Sequence, residues 1–299
     1  MNSIIQFVKC HPLATFFGLA YTFSWLPWVL GTLAPASRPF VPYPFLASGP
    51  LLAALLVIPI SQGRAGLRAL GASLLKWRVG WHWYAVAIGI PLAVALSAAA
   101  LNVVFGAPAL SLSQILGANG DARALNGMLG TGPVFSLILA FAIRFINPLD
   151  GPLGEEPGWR GYALPGLQAS RSPLAAALIV GLLASGWHLP LFLVGGGSPF
   201  ELLASVSLGV VAGWVYNRTS GSASMALVLH AADGIIQIES LGFVGADAER
   251  MVWLYSGLWC AWMIGVVILA GPSLGRRDAL APLEAAPTTQ PLAHENPAQ

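Results

Sequence analysis

From His82 to Phe105 the chain passes without one Asp, Glu, Lys or Arg, and comparable apolar runs recur along its length. Runs of this kind fix the solvent before they fix the fold. A helix crossing the hydrocarbon of a bilayer needs about 20 mostly apolar residues. In lipid, every backbone N–H and C=O must also find its partner within the protein, which leaves helices and closed barrels as the spanning structures. Charged residues make up only 9% of the chain and hydrophobic ones 56%, whereas a soluble domain carries roughly 25% charged residues. So little polar surface excludes a soluble enzyme, a disordered protein and a nucleic-acid binder. The net charge of +2 calls for no acidic partner. Cys10 and Cys260 lie near opposite ends, each in or beside an apolar run, a pattern that implies neither a disulfide framework nor a metal knuckle. The predicted architecture is an all-α, polytopic membrane bundle of about eight transmembrane helices.

The eight runs cover 12–34, 43–61, 82–105, 132–150, 173–195, 200–217, 222–244 and 251–270. The first is longer than a signal-peptide core and is interrupted by Trp25, Pro27 and Trp28, so it reads as an uncleaved anchor. Basic residues sort between the connections. With the N-terminus inside, Lys9, Arg64, Arg68, Lys76, Arg78, Arg160, Arg171, Arg218, Arg276 and Arg277 share the cytoplasmic side, and Arg38, Arg123 and Arg250 lie opposite. The positive-inside rule then predicts cytoplasmic N- and C-termini, in the cell membrane. Between the second and third runs, Leu67, Leu70 and Leu74 recur at helical spacing opposite Arg68 and Lys76. This predicts either an amphipathic elbow helix on the cytoplasmic surface or a solvated connector. Residues 271–299, rich in Pro, Ala and Thr, read as a disordered tail.

Ionisable residues within a bilayer are costly and mark function by default. Once loops and tail are set aside, Arg144, Glu155, Glu156, Arg160, His188, His230, Asp233 and Glu239 are left. In Gly154-Glu155-Glu156-Pro157-Gly158-Trp159-Arg160-Gly161, Arg160 follows Glu156 by four residues and can pair with it on one helical face. Glu155 then points about 100° away. Pro157 implies a helix that starts nearby, with the acids in its first turn, where the helix dipole favours them. His188 and His230 sit in the fifth and seventh runs, at depths compatible with the acidic segment in the cytoplasmic half of the bundle. A carboxylate with an imidazole can activate water, directly or through a metal, and a second imidazole can support an oxyanion. No nucleophilic Ser or Cys stands out, and the His-Glu-x-x-His pattern of zinc proteases is absent. The residues themselves reach a membrane-embedded hydrolase and leave metal dependence open.

The segment Gly154 to Tyr162, followed by Leu164-Pro165, resembles the Glu-Glu-x-x-x-Arg motif of the CAAX-protease and bacteriocin-processing (CPBP, or Abi) intramembrane metalloproteases. Trp187-His188-Leu189-Pro190-Leu191-Phe192 is similar to the family's second motif, and Tyr216 to Thr219 with His230-Ala231-Ala232 to its third. The resemblance covers about 130–245. It implies helical regions at 1–131, a catalytic core at 132–245, a last helix at 246–270 and the tail at 271–299. It also implies an endopeptidase that hydrolyses peptide bonds of a membrane-associated protein or peptide within the lipid bilayer. By the resemblance, Glu155 and His188 activate the water and His230 supports the oxyanion. Glu156 and Arg160 form a supporting ion pair or further acid/base groups. If a divalent metal such as zinc takes part, Glu155, His188 and His230 are its candidate ligands. Two positions depart from the family pattern. Ala184 stands where a phenylalanine is usual, and Gly234 where an asparagine is, with Asp233 just before it. A carboxylate at Asp233 opposes an oxyanion unless it is protonated, bound to a metal or turned away. The alternative class is a non-catalytic scaffold or bacteriocin-immunity-type protein on the same fold. A third reading, a proton-linked transporter using Arg144, Asp233 and Glu239, lacks an internal repeat.

Overall fold

The computed structural model describes residues 2–33, 47–149, 151–191 and 198–276. Arg38, Arg277, the tail beyond 276 and the outer ends of the second and fifth apolar runs lie outside these residues. Among the described residues every regular element is helical. In chain order they are α1 (Asn2–Cys10), α2 (Pro12–Leu33), α3 (Gly49–Ser61), α4 (Gly63–Leu74), α5 (Trp81–Val104), α6 (Leu112–Leu116), α7 (Gly120–Leu129), α8 (Pro133–Ile143) and α9 (Gly151–Gly158). A π-helical turn, Trp159–Ala163, continues α9 into α10 (Leu164–Gln168). Then follow α11 (Pro173–Trp187), α12 (Glu201–Arg218), α13 (Ala223–Asp233), a 3₁₀ turn (Ile238–Leu241) and α14 (Ala246–Ala270).

Four of these segments are long and apolar enough to cross a membrane: Pro12–Leu30, Trp81–Val104, Pro173–Leu191 and Ala246–Ala270. A fifth crossing arises if α7 and α8, bent by 119° at the Gly130-Thr131-Gly132 break, count as one. The other apolar runs did not become uniform spans. The 132–150 run yields only the 11 residues of α8, capped by Arg144, and the 222–244 run only the 11 of α13, which stops at Gly234. α3 has 13 residues, and α12 begins on Glu201 and ends on Arg218. Short helices and irregular turns are tolerated at membrane depth where protein or a polar cavity surrounds them. That is the setting here, because α9 packs between α3 and α13, and α13 packs also on α5 and α12. The outer faces carry the apolar groups expected of a lipid-facing belt, such as Leu55, Leu182, Ile264 and Leu269. The fold is that of an integral membrane protein.

Small residues set the closest crossings, as in membrane bundles generally. α12 crosses α11 at Gly209 and Gly181, where a Cβ on Gly209 would lie 2.8 Å from the Gly181 Cα. α9 meets α3 through Gly158, whose missing Cβ would lie 2.6 Å from the Pro50 carbonyl oxygen. α2 grips the end of α11 through polar tips on apolar rings. Tyr21 donates to the Leu183 carbonyl at 2.6 Å and Trp25 to the Trp187 carbonyl at 2.9 Å.

Two connections differ from the sequence expectation. The elbow is the helix α4, with Arg64 and Arg68 exposed, but Leu70 is buried against Gly161 of the π turn. Ser73 donates to the Gly221 carbonyl at 2.6 Å and Lys76 to the Ser220 carbonyl at 2.7 Å. These long-range bonds make α4 a brace between the acidic segment and the α12–α13 turn as well as an amphipathic surface. The stretch 271–276 folds back instead of starting a disordered tail. Leu274 is fully buried and its carbonyl accepts from Asn217 Nδ2 at 3.3 Å.

Candidate active site

The acidic pair lies inside the protein, with Glu155 5% exposed and Glu156 0%. α9 begins at Gly151, so the acids fall in its second turn, not the first. Pro157, one residue before the end of α9, cannot donate to the carbonyl four residues back, and the widened π turn follows it directly. Successive residues of the helix send the two carboxylates to different partners. Glu156 Oε1 accepts from Arg160 Nη1 at 2.7 Å and from His230 Nδ1 at 2.8 Å. Arg160 Nη2 reaches the Gly209 carbonyl at 3.5 Å, at the α11–α12 crossing. A buried carboxylate is stable only when paired and hydrogen-bonded, and Glu156 meets both conditions.

Glu155 turns the other way. Trp159 Nε1 approaches its Oε2 at 3.4 Å, and His188 Nε2 stands 4.0 Å from its Oε1. His188 caps α11 and places Nδ1 2.8 Å from the Ala184 carbonyl. A carbonyl only accepts, so Nδ1 carries the proton and, in the neutral ring, the Nε2 lone pair faces Glu155. Two acceptors 4.0 Å apart are too distant for a direct hydrogen bond and suitably spaced to share one water molecule. Ala184, which replaces the expected phenylalanine, supplies the carbonyl that orients the ring.

His230 joins the same space from α13. A carbon added at Gly151 would stand 2.9 Å from Glu155 Oε1 and 3.3 Å from His230 Nε2. These two atoms therefore border one small volume beside the start of α9. Glu155, Arg160, His188, His230, Asp233 and Gly234 line a cavity of about 280 Å³. Every sequence-predicted site residue except Glu156 thus reaches the cavity wall, and Glu156 sits behind it, holding His230 and Arg160.

Asp233 is engaged from the last helix, where the Tyr255 hydroxyl donates to its Oδ1 at 2.6 Å. Sequence reasoning passed over Tyr255 and also Trp159, both of which touch a site carboxylate. A hydroxyl or indole N–H in an apolar run was the available signal, but neither has a local pattern naming its partner. Among the described residues, no three His, Cys, Asp or Glu side chains gather as a metal-ligand set. His230 is turned to Glu156 through Nδ1 and His188 to Ala184 through its own, which leaves Nε2 of each ring toward the cavity.

Residues 132–235 match a family model described as type II CAAX prenyl endopeptidase, Rce1-like. Over 88 residues the chain is 30% identical to CAAX prenyl protease 2 of Methanococcus maripaludis, covering 25% of this chain and 32% of that protein. The match thus spans about a third of the relative's length. The matched segment 132–235 contains Glu155, Arg160, His188 and His230, the residues of the three motifs read from the sequence, and the likeness over it is to CAAX prenyl proteases.

Proposed function

We propose that this chain is an intramembrane endopeptidase that hydrolyses a peptide bond of a membrane-associated protein or peptide. The observation that carries the reading is the 4.0 Å gap between Glu155 Oε1 and His188 Nε2, two acceptors set to hold and polarise one water. Glu155 takes a proton as the water oxygen attacks the carbonyl carbon, and the carbonyl oxygen becomes an oxyanion. In its doubly protonated form His230 donates to that oxyanion from Nε2 while Nδ1 stays on Glu156. Collapse of the tetrahedral intermediate breaks the C–N bond, and Glu155 returns the proton to the leaving amine. No step requires a metal.

The name of the curated relative makes a prenylated C-terminal peptide the first substrate to test. The assay uses the purified full chain in detergent, an internally quenched farnesyl-cysteine peptide with three residues after the cysteine, and the same peptide without the farnesyl group. Removing a general base typically lowers a rate by about 10²–10⁴-fold, so Glu155→Ala and His188→Ala should each abolish detectable cleavage while the protein still inserts at normal abundance. Absence of cleavage of both peptides by the unaltered chain, or cleavage that survives both substitutions, overturns the reading.

A further inference from the structure

The bundle has one basic end. Arg64 and Arg68 lie on α4, Lys76 and Arg78 precede α5, Arg171 precedes α11, Arg218 ends α12 and Arg276 follows α14. Contacts between distant segments gather them on one side. Lys76 Nζ donates to the Ser220 carbonyl at 2.7 Å, Arg276 Nη1 to the Gln168 carbonyl at 3.4 Å, and Arg218 Cζ stands 6.0 Å from the centre of the Trp83 ring. From this end α2 and α11 run side by side, since Leu13 lies beside Gly166, Tyr21 meets Leu183 and Trp25 meets Trp187. The opposite end holds Arg123 on α7 and Arg250 on α14, the latter bonded to Asn102 near the far end of α5. Arg144 stands beside Gly234.

The cavity is lined from the halves of α11, α12 and α14 that lie away from this basic end, through His188, Glu201, Ser205 and Tyr255. At 1.5 Å per residue, His188 stands about 22 Å from the start of α11 and Glu201 about 25 Å from Arg218. The hydrocarbon layer is about 30 Å thick, so both lie beyond mid-depth from the basic end. The sequence reading set the histidines in the half beside the basic loops. The fold moves His188 to the other half, because α11 starts two residues after Arg171 and His188 is its last cap. The rim is completed by the 3₁₀ turn, where Glu239 also lines the cavity and is exposed. The basic end, in contrast, is packed shut. Leu164, Val211, Val215 and Leu274 are buried there. A Cβ on Gly213 would stand 3.0 Å from Ala177 Cβ, 3.5 Å from Leu274 Cδ2 and 3.8 Å from Leu164 Cδ2, so α10, α11, α12 and the 271–276 stretch close on one point. The approach to Glu155 and His188 therefore lies at the end that carries Glu201 and Glu239.

Lys and Arg in short connections stay on the cytoplasmic side of a membrane. Resting on the hydrolase reading for the chemistry, we infer that the cavity opens on the face away from the cytoplasm, and that its substrate is the exported stretch of a membrane-anchored protein. A chain segment on the cytoplasmic side would meet the packed ends of α10, α11 and α12 instead of the Glu155–His188 pair.

The test uses the full chain with Cys10→Ser and Cys260→Ala, carrying single cysteines by Glu239→Cys or Ser205→Cys at the cavity and Arg68→Cys at the basic end. Intact cells are treated with a membrane-impermeant maleimide before and after permeabilisation. Glu239→Cys and Ser205→Cys should label to the same extent in both conditions, and Arg68→Cys only after permeabilisation. The reverse pattern, or cavity cysteines that label only after permeabilisation, overturns the inference. A second measurement compares the protein termini of cells that express the unaltered chain with those of cells that express Glu155→Ala. Termini lost in Glu155→Ala should map to stretches of membrane proteins beyond the cytoplasm, and termini that map to cytoplasmic stretches overturn the substrate assignment. If no terminus is lost while Glu239→Cys labels in intact cells, the hydrolase reading and the substrate assignment fail together, and the direction in which the cavity faces still stands.

Discussion

Glu156 places one oxygen between two donors, Arg160 at 2.7 Å and His230 at 2.8 Å, with its side chain wholly inside the protein. Removing one partner of a buried ion pair leaves the other charged and unmatched, at a cost of about 3–5 kcal/mol. Arg160→Ala should therefore lower unfolding stability by that amount in a denaturation experiment, with a loss of activity that follows loss of fold. Glu155→Ala should act the other way round, silencing cleavage with little change in stability, because its contacts are longer and fewer. The i, i+4 spacing made the Arg160 pairing legible in the sequence. Nothing in the spacing identified His230 as the second partner, since 74 positions separate it from Glu156. Tyr255 was hidden for the same reason: it meets Asp233 only when distant helices pack together.

The acidic helix shows how an element can be read correctly in kind and wrongly in register. Pro157 signals a helix boundary, and the natural reading sets the acids in a first turn. In the fold the helix starts earlier, at Gly151, and the proline is absorbed by the π turn behind it. Gly154 and Gly158, four apart, face neighbouring backbone. A Cβ on Gly154 would meet the Pro148 carbonyl oxygen at 2.6 Å, and one on Gly158 the Pro50 carbonyl oxygen at 2.6 Å. Backbone cannot swing aside as a side chain can, so Gly158→Ala should push α3 and α9 apart. Overpacking of this kind costs about 1–3 kcal/mol, and cleavage should fall as Glu155 and Glu156 shift. Gly89→Ala, on the exposed face of α5 with nothing within 4 Å of the new carbon, should be neutral or stabilising by up to about 1 kcal/mol. Thermal unfolding of the two variants in one detergent makes the comparison, and equal effects would remove the close-approach explanation.

At the scale of the molecule, charge scarcity points to lipid as the solvent and to an orientation that can be tested. The basic residues of the connections predict both termini in the cytoplasm. Reporter fusions at the two ends should therefore give a fluorescent cytoplasmic marker and an inactive export-dependent enzyme at each, and an outward-facing end would overturn that prediction. Periodicity and hydropathy alone specified an all-helical membrane bundle, because lipid leaves the backbone few alternatives. They also exposed Glu155, Glu156, Arg160, His188, His230 and Asp233, because an ionisable group stands out where so few are allowed. What only the tertiary structure decided was which apolar runs form long helices and which form short ones, and which charges meet. An apolar run of a given length does not record whether lipid or protein will surround it, so α8 and α13 could be shortened without any local signal. A titratable residue likewise carries no mark of its partner when that partner comes from another helix. Packing brought Glu155 to 4.0 Å from His188, and the proposed chemistry depends on that placement.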